Sequence, residues 1–449
     1  MEVFDLPTIT TLIVFAAVIL LIAFDVIDML LAGLLGVSTL IVLGIFTSQD
    51  VSAITRTAGG PIALLFGGMV VARMLIPTGI FEYLGTFYLR ATKGSGKRFL
   101  LGLIVLVAPL CAVLPNATTV IILAPIIIRV SSALKVDFVG PMVLTAIISN
   151  SAGMLTLVGD PATFLVGSSI GMTFSQYLQK VSLGGLLALL VIIPLMPRLM
   201  KDIWRVQRVL PENLRLKPLE RPWFAAFSLM VLVMMVLLFI FGDRIPTHII
   251  PPAVAIIAAT LALLVIYAAK AEPINNVLKD IDWRTLIFLI CLFCLVQAFN
   301  KTGILQSCSQ NLYTLFGTNL VLISLIMIVG VGFASSLLAN IPIVAAMLLM
   351  VKGYFVTAQL VPDLALDPTF IDWPARAIPV FVAMMFAATL GGNATLIGAS
   401  ANVVSTGICA AHGRPVSFVT FMRYGVPFTL CQLVIAALYV LGMFYFVGR

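Results

Sequence analysis

Two eight-residue frames, TLVGDPAT at 156–163 and TLIGASAN at 395–402, interrupt stretches that are otherwise apolar enough to lie in hydrocarbon. Hydrocarbon offers no partner to a free N–H or C=O, so non-helical backbone at that depth survives only packed in protein or facing a water-filled cavity. A chain that places Gly, Asp and Pro there must fold around those breaks. The remaining sequence supports the membrane setting: 61% of the 449 residues are hydrophobic, 10% are charged, and mean hydropathy is +1.18. Such a composition indicates an all-α polytopic membrane protein with the lipid bilayer as a partner.

Apolar runs between polar segments predict spans at 8–24, 29–47, 60–77, 138–157 and 181–197, then at 223–241, 248–269, 284–299, 376–391 and 423–447. The first follows Glu2 and Asp5 rather than a basic segment, so it reads as a retained span and not a signal peptide. A different object lies between the third and fourth span of each series. The runs 99–113 and 118–132 are about 15 residues each, roughly 22 Å as helix, against a hydrocarbon core about 30 Å thick. They predict a re-entrant hairpin at about 99–132 with the tip LPNATT, and a second at about 318–351 with the tip LANIP.

The two series are copies. Thr78-Gly79-Ile80 matches Thr302-Gly303-Ile304 and Asn116 matches Asn340, both 224 positions apart (302 − 78 and 340 − 116). The broken frames lie 239 apart (395 − 156), and the longer polar loop at 352–373 takes up the difference. The chain thus divides into copies at 1–204 and 222–449, with broken helices at about 138–170 and 376–410 and a linker at 205–221. Each copy crosses an odd number of times, so the second is expected upside down relative to the first. Placing 198–221 inside gathers most of the 26 basic residues there, including Lys93, Lys97, Arg98, Arg205, Arg208 and Lys217. The expectation is a plasma-membrane protein with a cytoplasmic linker and both termini outside. Arg73, inside the third span, is expected to snorkel from a helix end. Its counterpart Gln297 (297 − 73 = 224) leaves a buried polar role open as well.

Several function classes drop out. The net charge of +8 belongs to the inside loops rather than to a nucleic-acid surface. Most of the six cysteines lie in apolar runs and imply no disulfide framework. Cys291 and Cys294 share a helical face without a third ligand, and His248 and His412 sit at expected membrane edges, so no metal centre or resident cofactor is called for. No HExxH pattern occurs, and Gly159-Asp160 lacks a second aspartate at membrane depth, which argues against an intramembrane enzyme. A transporter remains.

Its site should lie where four breaks converge: the tips at Asn116 and Asn340 and the interruptions at Gly159 and Gly398. Half-helix N-termini there suit an anion, and free carbonyls suit a cation such as sodium. The expected solute contacts are Asn116, Ala117, Thr118, Asn340, Ile341, Pro342, Thr163 and Asn402. The expected contacts of a coupling ion are Asn116, Thr119, Asn150, Thr156, Gly159, Asp160, Asn393, Thr395, Gly398 and Ser400. Asp160 carries two compatible readings. Followed by Pro161 it is an N-cap, and as an acid at membrane depth it is a coupling carboxylate.

The segment LGGNATLIGASANVVSTGICAAHGRPVSFVTFMRYGVP resembles the C-terminal signature of the permeases that include the pink-eyed-dilution P protein, within the ion-transporter superfamily. TLVGDPATFLVGS resembles its first-half counterpart. The resemblance implies an inverted-repeat fold, a homodimer of scaffold and transport domains, and elevator-type alternating access. P-protein relatives carry Asp before each tip asparagine, where this chain has Pro115 and Ala339. The tip PNATT is similar instead to the Ser-Asn-Thr tips of dicarboxylate symporters, whose asparagine and threonine hold sodium and substrate carboxylate. The expected function is secondary transport of a small anion or neutral oxyacid, coupled to sodium or protons. Arsenite or antimonite efflux is the first alternative, and a sodium/proton antiporter or anion channel like the P protein is the second.

Overall fold

A computed structural model describes residues 6–23, 26–209, 221–338, 340–366 and 370–447. Lys217 with most of the expected linker, Glu2, Asp5 and Ala339 lie outside the described residues. The apolar runs form helices, as hydrocarbon requires of any spanning backbone. The first series is α1 (Leu6–Ala23), α2 (Met29–Val42), α3 (Ser48–Leu75), α4 (Ile80–Thr92), α5 (Gly96–Cys111), α6 (Asn116–Leu134), α7 (Val139–Gly153), α8 (Pro161–Ser169) and α9 (Phe174–Leu199). The second is α10 (Pro222–Phe241), α11 (Pro251–Ala268), α12 (Trp283–Lys301), α13 (Ile304–Phe316), α14 (Leu320–Leu337), α15 (Asn340–Thr357), α16 (Ile378–Gly391), α17 (Ser400–Ala411) and α18 (Phe418–Val447). Among the described residues, eight helices are long and apolar enough to cross a membrane by length and composition, and shorter apolar helices accompany them.

Each helix of the first series has a counterpart nine places on. Between α3 and α4 the chain turns through Gly79 at φ 73° and ψ 4°, and between α12 and α13 through Gly303 at φ 72° and ψ 3°. That left-handed conformation is open to glycine at little steric cost. Packing between the series is reciprocal: α3 lies on α11 and α12 lies on α2.

The equivalent helices α3 and α12 also touch, and they run antiparallel. Near the start of α3, Asp50 accepts from Lys301 at the end of α12 at 3.0 Å. Near the end of α3, Arg73 bonds Asp280, just before α12 begins, at 3.0 Å, and Glu272 at 2.7 Å. Arg73 is therefore ion-paired rather than snorkelling freely. The acids that hold it lie about two hundred positions away, where no local pattern connects them to it.

The arms of the hairpins are longer than expected. α6 runs 19 residues and α14 and α15 run 18 each, so by length alone these arms could cross. What their neighbours give is the position of each tip. Gly96, at the start of α5, abuts the Ile203 carbonyl, and Gly140, at the start of α7, packs near Ile203 and Met200. From that common end α5 and α7 run together until the α5–α6 tip stands beside the interruption between α7 and α8. In the second series, Lys352 near the end of α15 donates to the Ser169 carbonyl at 3.0 Å, at the far end of α8. The two hairpins thus open at opposite ends of the α7–α8 pair.

Candidate functional site

Each hairpin tip closes on the interruption of its own series with the same contacts. An added Cβ at Gly153 would lie 2.8 Å from Asn116 Oδ1, and one at Gly392 would lie 2.7 Å from the Asn340 amide. A Cβ at Gly159 would meet Gly153 O at 2.3 Å and Cys111 O at 2.7 Å, and one at Gly398 would meet Gly392 O at 2.5 Å. Glycine is required at these positions because backbone carbonyls crowd where a side chain would project. Hydroxyls then secure the first arm of each hairpin: Thr156 donates to the Ala112 carbonyl and Thr395 to the Ser336 carbonyl. Both carbonyls end a helix and have no intrahelical partner.

The tips differ in their unused atoms. Asn116 Oδ1 and Thr119 Oγ1 are buried without a partner among the described residues, while Ser149 donates to the Asn116 carbonyl at 3.1 Å. The Asn340 amide, turned so that its nitrogen faces acceptors, donates to Gly398 O at 2.9 Å, Ala388 O at 3.1 Å and Ser335 Oγ at 2.7 Å. With the amide reversed, its oxygen would accept from the Ser335 hydroxyl at 2.7 Å but face the carbonyls of Gly398 and Ala388.

Between the interruptions lies a buried polar core. Asn150 Nδ2 donates to Asn393 Oδ1 and to Asn402 Oδ1, both at 3.0 Å. Asn402 Nδ2 caps the carbonyls of Gly392 at 2.8 Å and Thr395 at 2.7 Å. Asn393 Nδ2 donates to Ser151 Oγ at 3.0 Å and Gln432 Oε1 at 2.9 Å. Asp160 is the N-cap of α8, accepting from the Thr163 amide at 3.1 Å and from the Thr389 hydroxyl at 3.0 Å. Thr163 Oγ1 returns a bond to the Asp160 carbonyl at 3.0 Å. By contrast, Pro115 before α6 and Ala399 before α17 make no side-chain cap, so those two helices begin with free N–H groups.

The structure therefore gathers Asn116, Gly159, Asn150, Asn393, Asn402, Thr395 and Gly398 around the breaks. Ala117, Thr118 and Ile341 are half-buried at the tips, Pro342 is buried behind the second, and Ser400 is exposed at the start of α17. Thr163 and Asn402 are fully buried and committed to internal bonds. Beside Pro115 and Gly159, toward α3 and α10, the remaining cavity is about 10 Å³, room for one water at most. Sequence reasoning missed Thr389, Ser335 and Gln432. Thr389 was recoverable, since it stands 239 positions after Asn150, the offset of the broken frames. Gln432 carried a weaker signal as an amide inside an apolar run.

Comparison with known proteins places this geometry. The family model described as "Citrate transporter" matches residues 19–371. An "Uncharacterized transporter" of Synechocystis sp. is 41% identical over 98% of this chain and 98% of its own. One from Mycobacterium bovis is 31% identical over 97% of this chain and 98% of its own. The human P protein is 27% identical over 97% of this chain and 60% of its own length. Among solved structures, the YdaH transporter of Alcanivorax borkumensis has the same fold at a TM-score of 0.58, with 10% identity and 98% of each chain covered.

Proposed function

The chain belongs to the citrate transporter family and is a multi-pass membrane transporter, and from that premise we propose that it carries a small anion by ion-coupled secondary transport. The observation that carries the proposal is the buried, unpartnered Asn116 oxygen, set among the crowded carbonyls of Gly153, Gly159 and Cys111. Oxygens without donors at membrane depth are how unwound transporter helices hold sodium. In the second copy the Asn340 amide instead donates to Gly398, Ala388 and Ser335, so the unpartnered oxygen belongs to the first break alone among the described residues. An anion would meet the free N–H groups that open α6 and α17, beside Ala117, Thr118 and Ser400. Asp160 is the one carboxylate among the site residues, which favours an anionic or neutral oxyacid over a bare cation. The family name puts carboxylates such as citrate first among candidates.

The antiparallel run of α3 and α12 and the opposed hairpins support inverted copies that exchange roles during alternating access, with the linker cytoplasmic and both termini outside in the plasma membrane. Elevator movement of the hairpins and broken helices, and assembly as a homodimer, are proposed from the resemblance to the ion-transporter superfamily. The test is uptake by proteoliposomes of labelled carboxylates, inorganic oxyanions and arsenite, under imposed sodium or pH gradients. Accumulation of a carboxylate driven by one gradient supports the proposal. Uptake indifferent to both gradients would overturn coupling, uptake of arsenite alone would make the chain a metalloid permease, and passive flux that does not saturate would make it a channel.

A further inference from the structure

We propose that Gln432, on α18, is a positioning residue that fixes the direction of the buried amides and so presents the Asn150 oxygen to a bound sodium ion. The inference rests on the transport reading above and assigns the origin of its ion selectivity.

Gln432 is fully buried on a helix that otherwise reads as a plain apolar span. Its nitrogen donates to the Ala188 carbonyl at 3.1 Å and to Ser151 Oγ at 2.8 Å. A carbonyl can only accept, so Ala188 admits the nitrogen end of Gln432 and turns the oxygen end toward Asn393. The choice propagates. Asn393 gives its nitrogen to Gln432 and Ser151, and its oxygen therefore faces Asn150. Asn402 is fixed from the other end, because its nitrogen caps the carbonyls of Gly392 and Thr395 and its oxygen also faces Asn150.

Asn150 is left with one role. Its nitrogen carries two hydrogens, and both are spent on the oxygens of Asn393 and Asn402. The other amide oxygens and nitrogens of these four side chains bond within the cluster or to nearby carbonyls, and the bonds of Asn150 within it are the two its nitrogen donates, which leaves its oxygen facing away from Asn393 and Asn402. An oxygen polarised by two donated hydrogen bonds on the same amide is a better acceptor than an isolated one. Asn150 stands in the last turn of α7, three residues before the Gly153 carbonyl that crowds the first break. Were the amides reversed, Asn150 would present N–H groups in place of that oxygen and repel a cation. Gln432 with its Ala188 anchor and Asn402 with its two carbonyls prevent that reversal from opposite sides, and Gln432 does so without touching the ion.

The experiment compares wild type with Gln432→Leu and Gln432→Glu, reading the sodium concentration for half-maximal uptake, the solute KM at saturating sodium, and the thermal shift given by sodium chloride over choline chloride. Losing the anchor should raise the half-maximal sodium concentration about tenfold in Gln432→Leu, with solute KM changed less than about threefold. A glutamic acid keeps the acceptor of glutamine but supplies at most one of its two donated hydrogens. Gln432→Glu should therefore also raise the half-maximal sodium concentration, with solute KM again changed less than about threefold. Wild-type sodium dependence in Gln432→Leu, or equal losses in sodium affinity and solute KM, would overturn the proposal. So would failure of both variants to survive extraction, which would make Gln432 a structural brace. A wild type driven by pH alone would also remove it while leaving the transport reading intact, whereas a wild type that transports nothing would remove both.

Discussion

The Thr389 hydroxyl donates to the Asp160 carboxylate at 3.0 Å across 229 positions of sequence. Thr389 occupies the place in the second copy that Asn150 occupies in the first (389 − 150 = 239). Each reaches across to the start of the opposite broken helix, Asn150 to Asn402 and Thr389 to Asp160. The two series are thus tied by two related bonds of different chemistry, amide to amide in one and hydroxyl to carboxylate in the other.

Asp160 separates its two readings by substitution. Asn caps helices about as well as Asp, whereas Ala removes a cap worth about 1 kcal/mol. Asp160→Asn should match wild type in yield and melting temperature, and Asp160→Ala should melt lower. If the carboxylate also couples, Asp160→Asn transports with altered sodium or pH dependence. An unchanged dependence assigns Asp160 to capping alone.

The glycines at the breaks should tolerate nothing larger. Gly159→Ala and Gly398→Ala force a methyl against carbonyls at 2.3 Å and 2.5 Å, and nothing within 4 Å meets a Cβ at Gly407. Gel filtration of detergent-extracted protein should show the first two aggregated or depleted and Gly407→Ala unchanged. Monodisperse Gly159→Ala at wild-type yield would contradict the close approach.

Much of this was legible in sequence because it is local. Apolar runs set the helices, and the frames at 156–163 and 395–402 declared the breaks that α7–α8 and α16–α17 display. What stayed hidden depends on partners brought together only by folding. Gln432 meets Ser151 across 281 positions, and Arg73 meets Glu272 across 199. Hairpin arm length misled as well: α6 is long enough to span, and only its position beside Gly153 and Gly159 shows where its tip stops.

Counterpart positions on the two broken helices are unequally covered. Phe164 is 4% exposed near Gly60 of α3, and Val403, 239 positions on, is 48% exposed. On a background lacking the native cysteines, Val403→Cys should react with a membrane-impermeant thiol reagent and Phe164→Cys should not. Driving the transporter to its opposite state should reverse that order. Equal protection of both would contradict an asymmetric site.

The Asp50–Lys301 tie predicts a pH dependence of stability. Asp50 precedes the apolar span that begins at Ala58. Burial pushes its carboxyl up, but the hydroxyl and amide of Thr47 and the Lys301 ammonium outweigh that and hold it below 3.8. A depressed carboxyl stabilises the fold above its ordinary value and loses that contribution as pH falls through the folded value. Asp50→Asn should therefore melt below wild type by the same margin from pH 5 to pH 8, with the gap narrowing only under about pH 4. A gap that opens and closes near pH 6 would point to another group.

The central claim is that the polar breaks hold an ion and a solute together. Thermal stabilisation of purified protein by a carboxylate panel, with and without sodium, in wild type and in Asn116→Ala, tests it most directly. The account predicts a wild-type shift that requires both ligands and is lost, or displaced at least about tenfold in sodium concentration, in Asn116→Ala. The same shift in Asn116→Ala as in wild type would contradict it.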